Sequence, residues 1–398
     1  MKKIFSLGLA LLAVMAVVSC SSGSKKQTKP LTPEEQQDKL ETTAKTLVDE
    51  IDVDNWKGSF DFSQDFANYF GKMTDKNPKA LDAFGDWADE MEDAFVVERN
   101  GETRTVVALS ALKGGVFEEK DGVFVYTEGK KSELGIIIYP DGVKSEAHFY
   151  FGPDSNQEYA VSFGTKASSK NEVYVKVPTW IEQQMIQGGK TRLSYRMNLS
   201  VYDKNKDGVL DMEHDQISAS GKVTVDDFVL SIDKFYFDNG SAASISFVLT
   251  HGSKKIIGFT ASASGDGMDM DEVKTLQVDA DFLGQVQIRG NMDTEKMEYY
   301  ADECDANYKD GDAFKASLAK LNSTFSLAVY YDGGSNRQAW LAFEAFVDDD
   351  GEWYADPVFQ FQDGTTQAIE EFMDNEHISQ LFKDLSDWFK RVEKYFKD

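Results

Sequence analysis

From Val96 onward apolar residues return at every second position, and Asx-Gly pairs cut these runs to lengths one strand can span. The punctuating pairs are Asn100-Gly101, Asp121-Gly122, Asp141-Gly142 and Asn239-Gly240. A period of two cannot give a helix one apolar side, so it restricts this stretch to strands joined by tight turns. The clearest run is Leu193, Tyr195, Met197, Leu199 and Val201, alternating with Ser194, Arg196, Asn198 and Ser200. Val286 and Ile288 alternate in the same way with Gln285, Gln287 and Arg289. Such strands predict an antiparallel sheet with one apolar face and one wet face.

Helical spacing frames this region. Thr32-Pro33-Glu34-Glu35 reads as an N-cap, a proline at the first helical position and the glutamate of a capping box, which predicts a helix to about Ile51. Further helical stretches are expected at Phe62 to Phe70 and from Pro78 to about Phe95, and short ones at Thr179 to Ile186 and Asp293 to Leu321. Strands are expected again at 324–331, 337–347 and 352–362, with turns at Asp332-Gly333-Gly334 and Asp350-Gly351. Ile378, Leu381, Phe382, Leu385, Trp388, Phe389, Val392, Tyr395 and Phe396 then form one apolar stripe along a final amphipathic helix. That stripe can dock on the sheet, enter a membrane or hold a partner.

The resulting expectation is an α+β fold: N-terminal helices, an extended, curved antiparallel sheet of many hairpins, and a C-terminal amphipathic helix. Its segments are a helical part at 32–95, an antiparallel β region at 96–291, and a last part at 292–398. That last part carries a helix, a second β block and the closing helix, packed on the same or a second core.

The first thirty residues carry an address. Lys2 and Lys3 precede an apolar stretch from Ile4 to Val18, then Ser19-Cys20. About 15 residues at 1.5 Å rise reach only about 22 Å, against a hydrocarbon core of roughly 30 Å, so the segment reads as a cleaved export signal over 1–19. Ser21-Ser22-Gly23-Ser24-Lys25-Lys26-Gln27-Thr28-Lys29-Pro30 is polar, and residues 20–31 read as a flexible tether. Val17-Val18-Ser19-Cys20 resembles the lipobox of bacterial lipoproteins. The resemblance implies cleavage before Cys20, a diacylglyceryl group on its thiol and an acyl chain on its new amino terminus, hence a membrane partner. By the sorting rule of Gram-negative lipoproteins, Ser21 implies the outer membrane. Lys25 and Lys26 stand where surface-exported lipoproteins carry an acidic tract, which implies the periplasmic side. The whole layout resembles the large uncharacterised envelope lipoproteins of Gram-negative anaerobes, a resemblance that implies no activity.

Charge narrows the partners. The chain carries 69 Asp+Glu against 42 Lys+Arg, a net charge of −27, which repels phosphate backbones and excludes nucleic acid as a partner. With Cys20 lipidated, Cys304 has no second cysteine to pair with, so stability rests on a core. The 28 phenylalanines supply large apolar surface for it.

One constellation has ion chemistry in it. Asp203-Lys204-Asn205-Lys206-Asp207-Gly208-Val209-Leu210-Asp211 places oxygens at alternate positions around a glycine turn, as calcium loops do. Asp203, Asn205, Asp207, the Val209 carbonyl and Asp211 would be ligands. His214 stands at the position of the bidentate glutamate, so Glu213 or Asp215 would close the cage. A calcium site and a solvated turn are both compatible with this pattern. Asp266, Asp269, Asp271 and Glu272 form another acidic group whose spacing fits no cage. Nucleophile elbow, zinc-protease, phosphate-loop and dinucleotide signatures are absent, and His148, His214, His251 and His377 share no metal or triad spacing. Paired catalytic carboxylates leave no sequence signature and stay open. The expectation is therefore a non-catalytic, membrane-anchored module for a hydrophobic or lipid-like ligand, or alternatively a structural subunit contacting another envelope protein.

Overall fold

The computed structural model describes residues 30–91, 96–100, 104–161, 172–208, 210, 214–238, 240–267, 272–373 and 383. Two compact units divide the chain. A host unit takes Met1–Val53 and Gly240–Asp398, and an inserted unit takes Asp54–Asn239.

The described part of the host unit begins with helix α1 (Pro33–Glu50). The capping box forms: the Thr32 hydroxyl accepts from Glu35 N at 3.2 Å, and Glu35 Oε2 accepts from Thr32 N at 2.9 Å. Chain order then passes into the inserted unit, which opens with α2 (Lys57–Lys76) and α3 (Asp82–Met91). Its strands are β1 (Val96–Asn100), β2 (Arg104–Ala108), β3 (Gly115–Lys120), β4 (Val123–Glu128), β5 (Glu133–Ile138) and β6 (Ser145–Phe151). They continue with β7 (Asp154–Val161), β8 (Glu172–Pro178), β9 (Trp180–Gln187), β10 (Lys190–Tyr202), β11 (Gln216–Val225) and β12 (Phe228–Asp238). Eight of them neighbour one another in the order β4-β3-β5-β6-β9-β10-β11-β12, and β1-β2-β8-β7 form a separate sheet. Pairing is antiparallel except at β3–β5 and β2–β8, which are parallel. The Asp121-Gly122 pair makes the β3–β4 turn with φ of 53° and 79°, the left-handed pair that a two-residue hairpin needs.

α2 and α3 lie on one face of this sheet. Phe62, Phe66 and Met73 of α2 are buried with Phe117, Phe124, Ile138, Ala147 and Met185 of the strands. Phe84 of α3 stacks on Phe117 at 3.8 Å, and Trp87 meets that ring edge-on at 5.8 Å.

The host unit resumes with β13 (Ala242–His251), β14 (Lys254–Gly265), β15 (Val273–Phe282) and β16 (Val286–Asp293), then α4 (Thr294–Ala306) and α5 (Gly311–Asn322). It continues through β17 (Phe325–Tyr331), β18 (Ala339–Val347), β19 (Trp353–Phe361), β20 (Thr366–Ala368) and α6 (Ile369–Met373). These eight strands neighbour one another in chain order. Asp293 and Asp310 cap α4 and α5 through backbone amides of Lys296, Asp312 and Ala313. α1 is tied at both ends. Buried Gln36 donates to Gln338 O at 3.1 Å and accepts from the buried Tyr331 hydroxyl at 3.3 Å. At the other end Glu50 meets His251 Nδ1 at 3.2 Å and Lys254 Nζ at 2.5 Å.

The expected α+β class does not hold. Twenty strands stand against six α-helices among the described residues, and the chain is largely β. Among the described residues, α2 and α3 lie on strands of the inserted unit, and α4, α5 and α6 contact strands of the host unit. Of Thr179–Ile186, expected as helix, all but Thr179 lies in β9, because β6 on one side and β10 on the other bond its backbone along nearly its whole length. Two ladders of hydrogen bonds outweigh the helix preference of Glu182, Gln183 and Gln184. The final amphipathic helix expected over 378–396 lies outside the described residues, apart from Lys383.

Candidate functional site: an apolar ladder with half-buried side chains

β10, β11 and β12 of the inserted unit bring their alternating side chains into rows. Tyr195 stands opposite Val223, and Val223 opposite Leu230; Met197, Gly221 and Ile232 follow, then Leu199, Ala219 and Phe235, then Val201, Ile217 and Phe237. A register shift between Ala219 and Gly221 keeps the rows aligned past Asp233 and Lys234. Every second residue of each strand thus adds to one apolar face, about 27 Å long from Leu193 to Val201 at about 3.4 Å per residue. The opposite face is polar, with Ser194, Arg196, Asn198 and Ser200 against Thr224, Lys222, Ser220 and Ser218.

Among the described residues, the buried cover lies at the first row. There Leu193 and Val225 lie beside Phe228, which is 3% exposed and meets the Trp56 ring edge-on at 5.2 Å. The buried Ser59 hydroxyl donates to Arg192 O at 2.9 Å and to the Asp226 carboxylate, which also pairs with Arg192 Nη1 at 3.1 Å. Burial pushes the Asp226 pKa up, but Ser59, Arg192 and Lys190 outweigh it and hold the group below its ordinary range. All later rows are only half-buried. Apolar side chains in register, only half-buried along most of a strand's length, offer contact to apolar matter.

The Asp203 loop, between β10 and β11, holds itself together. Asp203 accepts backbone bonds from Lys206 N and, at 2.9 Å, from Gly208 N; Asn205 and Asp207 bond each other at 3.0 and 3.1 Å. Gly208 has φ of 83°, the conformation for which the glycine is needed. Asp215 is fully buried and accepts from Lys204 N at 3.1 Å, while Lys204 Nζ reaches Asp238 at 2.5 Å. Asp203, Asn205, Asp207 and Asp215 are described; Val209, Asp211 and Glu213 lie outside the described residues, as do Cys20, Asp269 and Asp271. Among the described residues no group of three or more His, Cys, Asp or Glu is arranged to hold a metal.

The buried Cys304 thiol is pushed up to about 11 by burial first, then by Asp305 and Glu303, so it is not a nucleophile at neutral pH. Among the described residues no helix is long and apolar enough to cross a membrane, a statement that does not extend to β-barrels. The sequence pointed to β10 but not to its partners. Ile217, Ala219, Val223 and Val225 carry the same alternation and would have extended the face to β11, whereas the register shift that brings in β12 leaves no sequence signal.

No protein-family model and no curated protein matches the chain. Among solved structures it is similar to a porin-like protein from Bacteroides vulgatus ATCC 8482, with 10% identity, a TM-score of 0.14, and coverage of 63% of this chain and 88% of the other.

Proposed function

We propose that this protein is a non-catalytic binding module that receives an acyl chain or similarly apolar ligand on the β10–β12 ladder. The observation that carries this reading is the run of half-buried apolar rows beyond Phe228. A ligand burying about ten methylenes there gains about 8 kcal/mol at about 0.8 kcal/mol each, equivalent to a dissociation constant near the micromolar range. Ordering costs on binding weaken it from that limit.

The mature chain is tethered, in this proposal, by lipid on Cys20 to the outer membrane and faces the periplasm. Support for the tether is the lipobox-like Val17-Val18-Ser19-Cys20. Replacing Cys20 by Ala releases the protein from the membrane fraction; retention there ends the lipoprotein reading.

The ligand is tested by native mass spectrometry with organic extraction on protein purified from its own envelope and on a soluble form lacking Cys20. A shared lipid-sized adduct is expected on both. Titration with a fluorescent fatty acid then locates it, since Leu199→Glu places a charge in the middle of the ladder and lowers affinity at least tenfold while the melting temperature holds. Absence of adduct and of titration together would turn attention to a protein partner for the same face.

A further inference from the structure

The host unit has an apolar face of its own, and we propose that residues 378–396 of the same chain dock on its open part. Four rows cross β13 to β17 in register, among them Ile245, Ala261, Val278, Gly290 and Leu327, and next to it Phe247, Phe259, Ala280, Ile288 and Val329. Ile288, Leu327 and Val329 are buried, whereas Ile245, Phe247, Phe259 and Val278 are only half-buried. This face therefore has a covered side at β16–β17 that extends to Ala280 and Phe282 of β15, and an open side at β13, β14 and Val278 of β15.

Where the described chain stops decides the occupant. In α6, Phe372 packs on Phe359 at 4.8 Å and Phe361 at 6.1 Å, and its carbonyl accepts from buried Gln37 at 3.4 Å. Phe361 stands opposite Ala339, and Ala339 opposite Val329, so Phe372 sits on the face that carries Phe247 and Phe259. Met373, the last residue of α6, ends there. Six strand steps separate β19 from β13, roughly 29 Å at about 4.8 Å each. The apolar spacing of 378–396 predicts a helix, which would be roughly 27 Å long at 1.5 Å per residue with its stripe on one side. That length spans the run from β19 to β13, so a segment starting beside α6 reaches the open side, and chain connection gives it a high effective concentration there.

The segment's charge favours this occupant over a membrane surface. Lys383, Lys390, Arg391, Lys394 and Lys397 are offset by Asp374, Glu376, Asp384, Asp387, Glu393 and Asp398. A helix lying on lipid headgroups carries a strongly cationic polar side, which this one lacks. Docking also leaves the β10–β12 ladder as the place where an apolar ligand enters, so the inference stands independently of whether such a ligand exists.

The test uses the full mature chain with Cys20 replaced by Ser. Bimane is attached at half-buried Val278→Cys on β15, about 19 Å from β19 and so beside the middle of the segment, and Cys304 stays unlabelled because its thiol is buried. Docking brings Trp388 near enough to quench the label, so adding Trp388→Phe raises fluorescence at least twofold. An unchanged signal overturns the proposal, as does a rise produced in the Trp388-containing protein by phosphatidylglycerol vesicles, which would show the segment leaving for lipid. In a second measurement Leu381→Asp with Leu385→Asp exposes the face and adds at least one bound 1-N-phenylnaphthylamine per chain. No added site means the segment does not cover that face. A parent protein that takes up no probe, paired with a variant that does, would sink the ligand reading and keep this one.

Discussion

β16–β17 and β10–β12 are written in the same alternating pattern, yet their apolar faces have different fates. Val286, Ile288, Leu327 and Val329 are at most 7% exposed, and α1 and its tethers lie over the end of that sheet. Leu199, Val201, Ile217 and Phe235 are half-buried, beyond the row where Trp56 meets Phe228. Period-two alternation thus specifies that a face is apolar; what covers it is specified elsewhere in the chain.

Truncation separates the two regions most strongly. Ile288→Ala is expected to cost about 2–5 kcal/mol, the loss of a fully buried side chain plus its cavity, read from the shift of the urea midpoint. Leu199→Ala is expected to cost about 1 kcal/mol or less, because its side chain is already half in water. Equal costs would erase the distinction between covered and open faces.

The tether over the covered face comes next. Gln36→Ala removes the acceptor of the buried Tyr331 hydroxyl, while the Gln338 carbonyl keeps Gln362 N at 3.0 Å, and should cost about 1–3 kcal/mol in the same assay. A neutral result would mean that α1 is held by its apolar side alone, through Leu40, Ala44 and Leu47.

A smaller effect is expected from acid. The Lys254 ammonium and then, against the opposing effect of burial, His251 hold the Glu50 pKa below its ordinary range. A lowered folded-state pKa contributes stability above the ordinary glutamate range and loses it as pH falls through the lowered value. Hydrogen exchange at 47–51 should therefore quicken below about pH 4, ahead of exchange in β16. Simultaneous loosening of both would show that the α1 end is not an independent tether.

The least expected change concerns the open unit's loop. Its described oxygens are engaged within the loop, so millimolar calcium should leave the melting temperature unmoved. A rise would show that Asp211 and Glu213 complete a cage after all.

Much of the local structure was legible in advance. Thr32 and Glu35 announce α1 because a capping box acts within four residues. β17, β18 and β19 fall within a residue or two of the expected spans because Asp-Gly turns and alternation are also local signals. β9 was misread because its strand state is imposed by β6 and β10, neither of which is visible from Glu182-Gln183-Gln184 alone.

By itself the sequence determined where the turns fall, which residues alternate, the acidic surface and the lipobox-like address, all of which depend on neighbours a few positions apart. Only the tertiary structure decided the largely β class, the alignment of β10, β11 and β12 into one ladder, and which apolar rows lie under helices. Those outcomes depend on register and cover between segments far apart in the chain, and no short-range pattern encodes them.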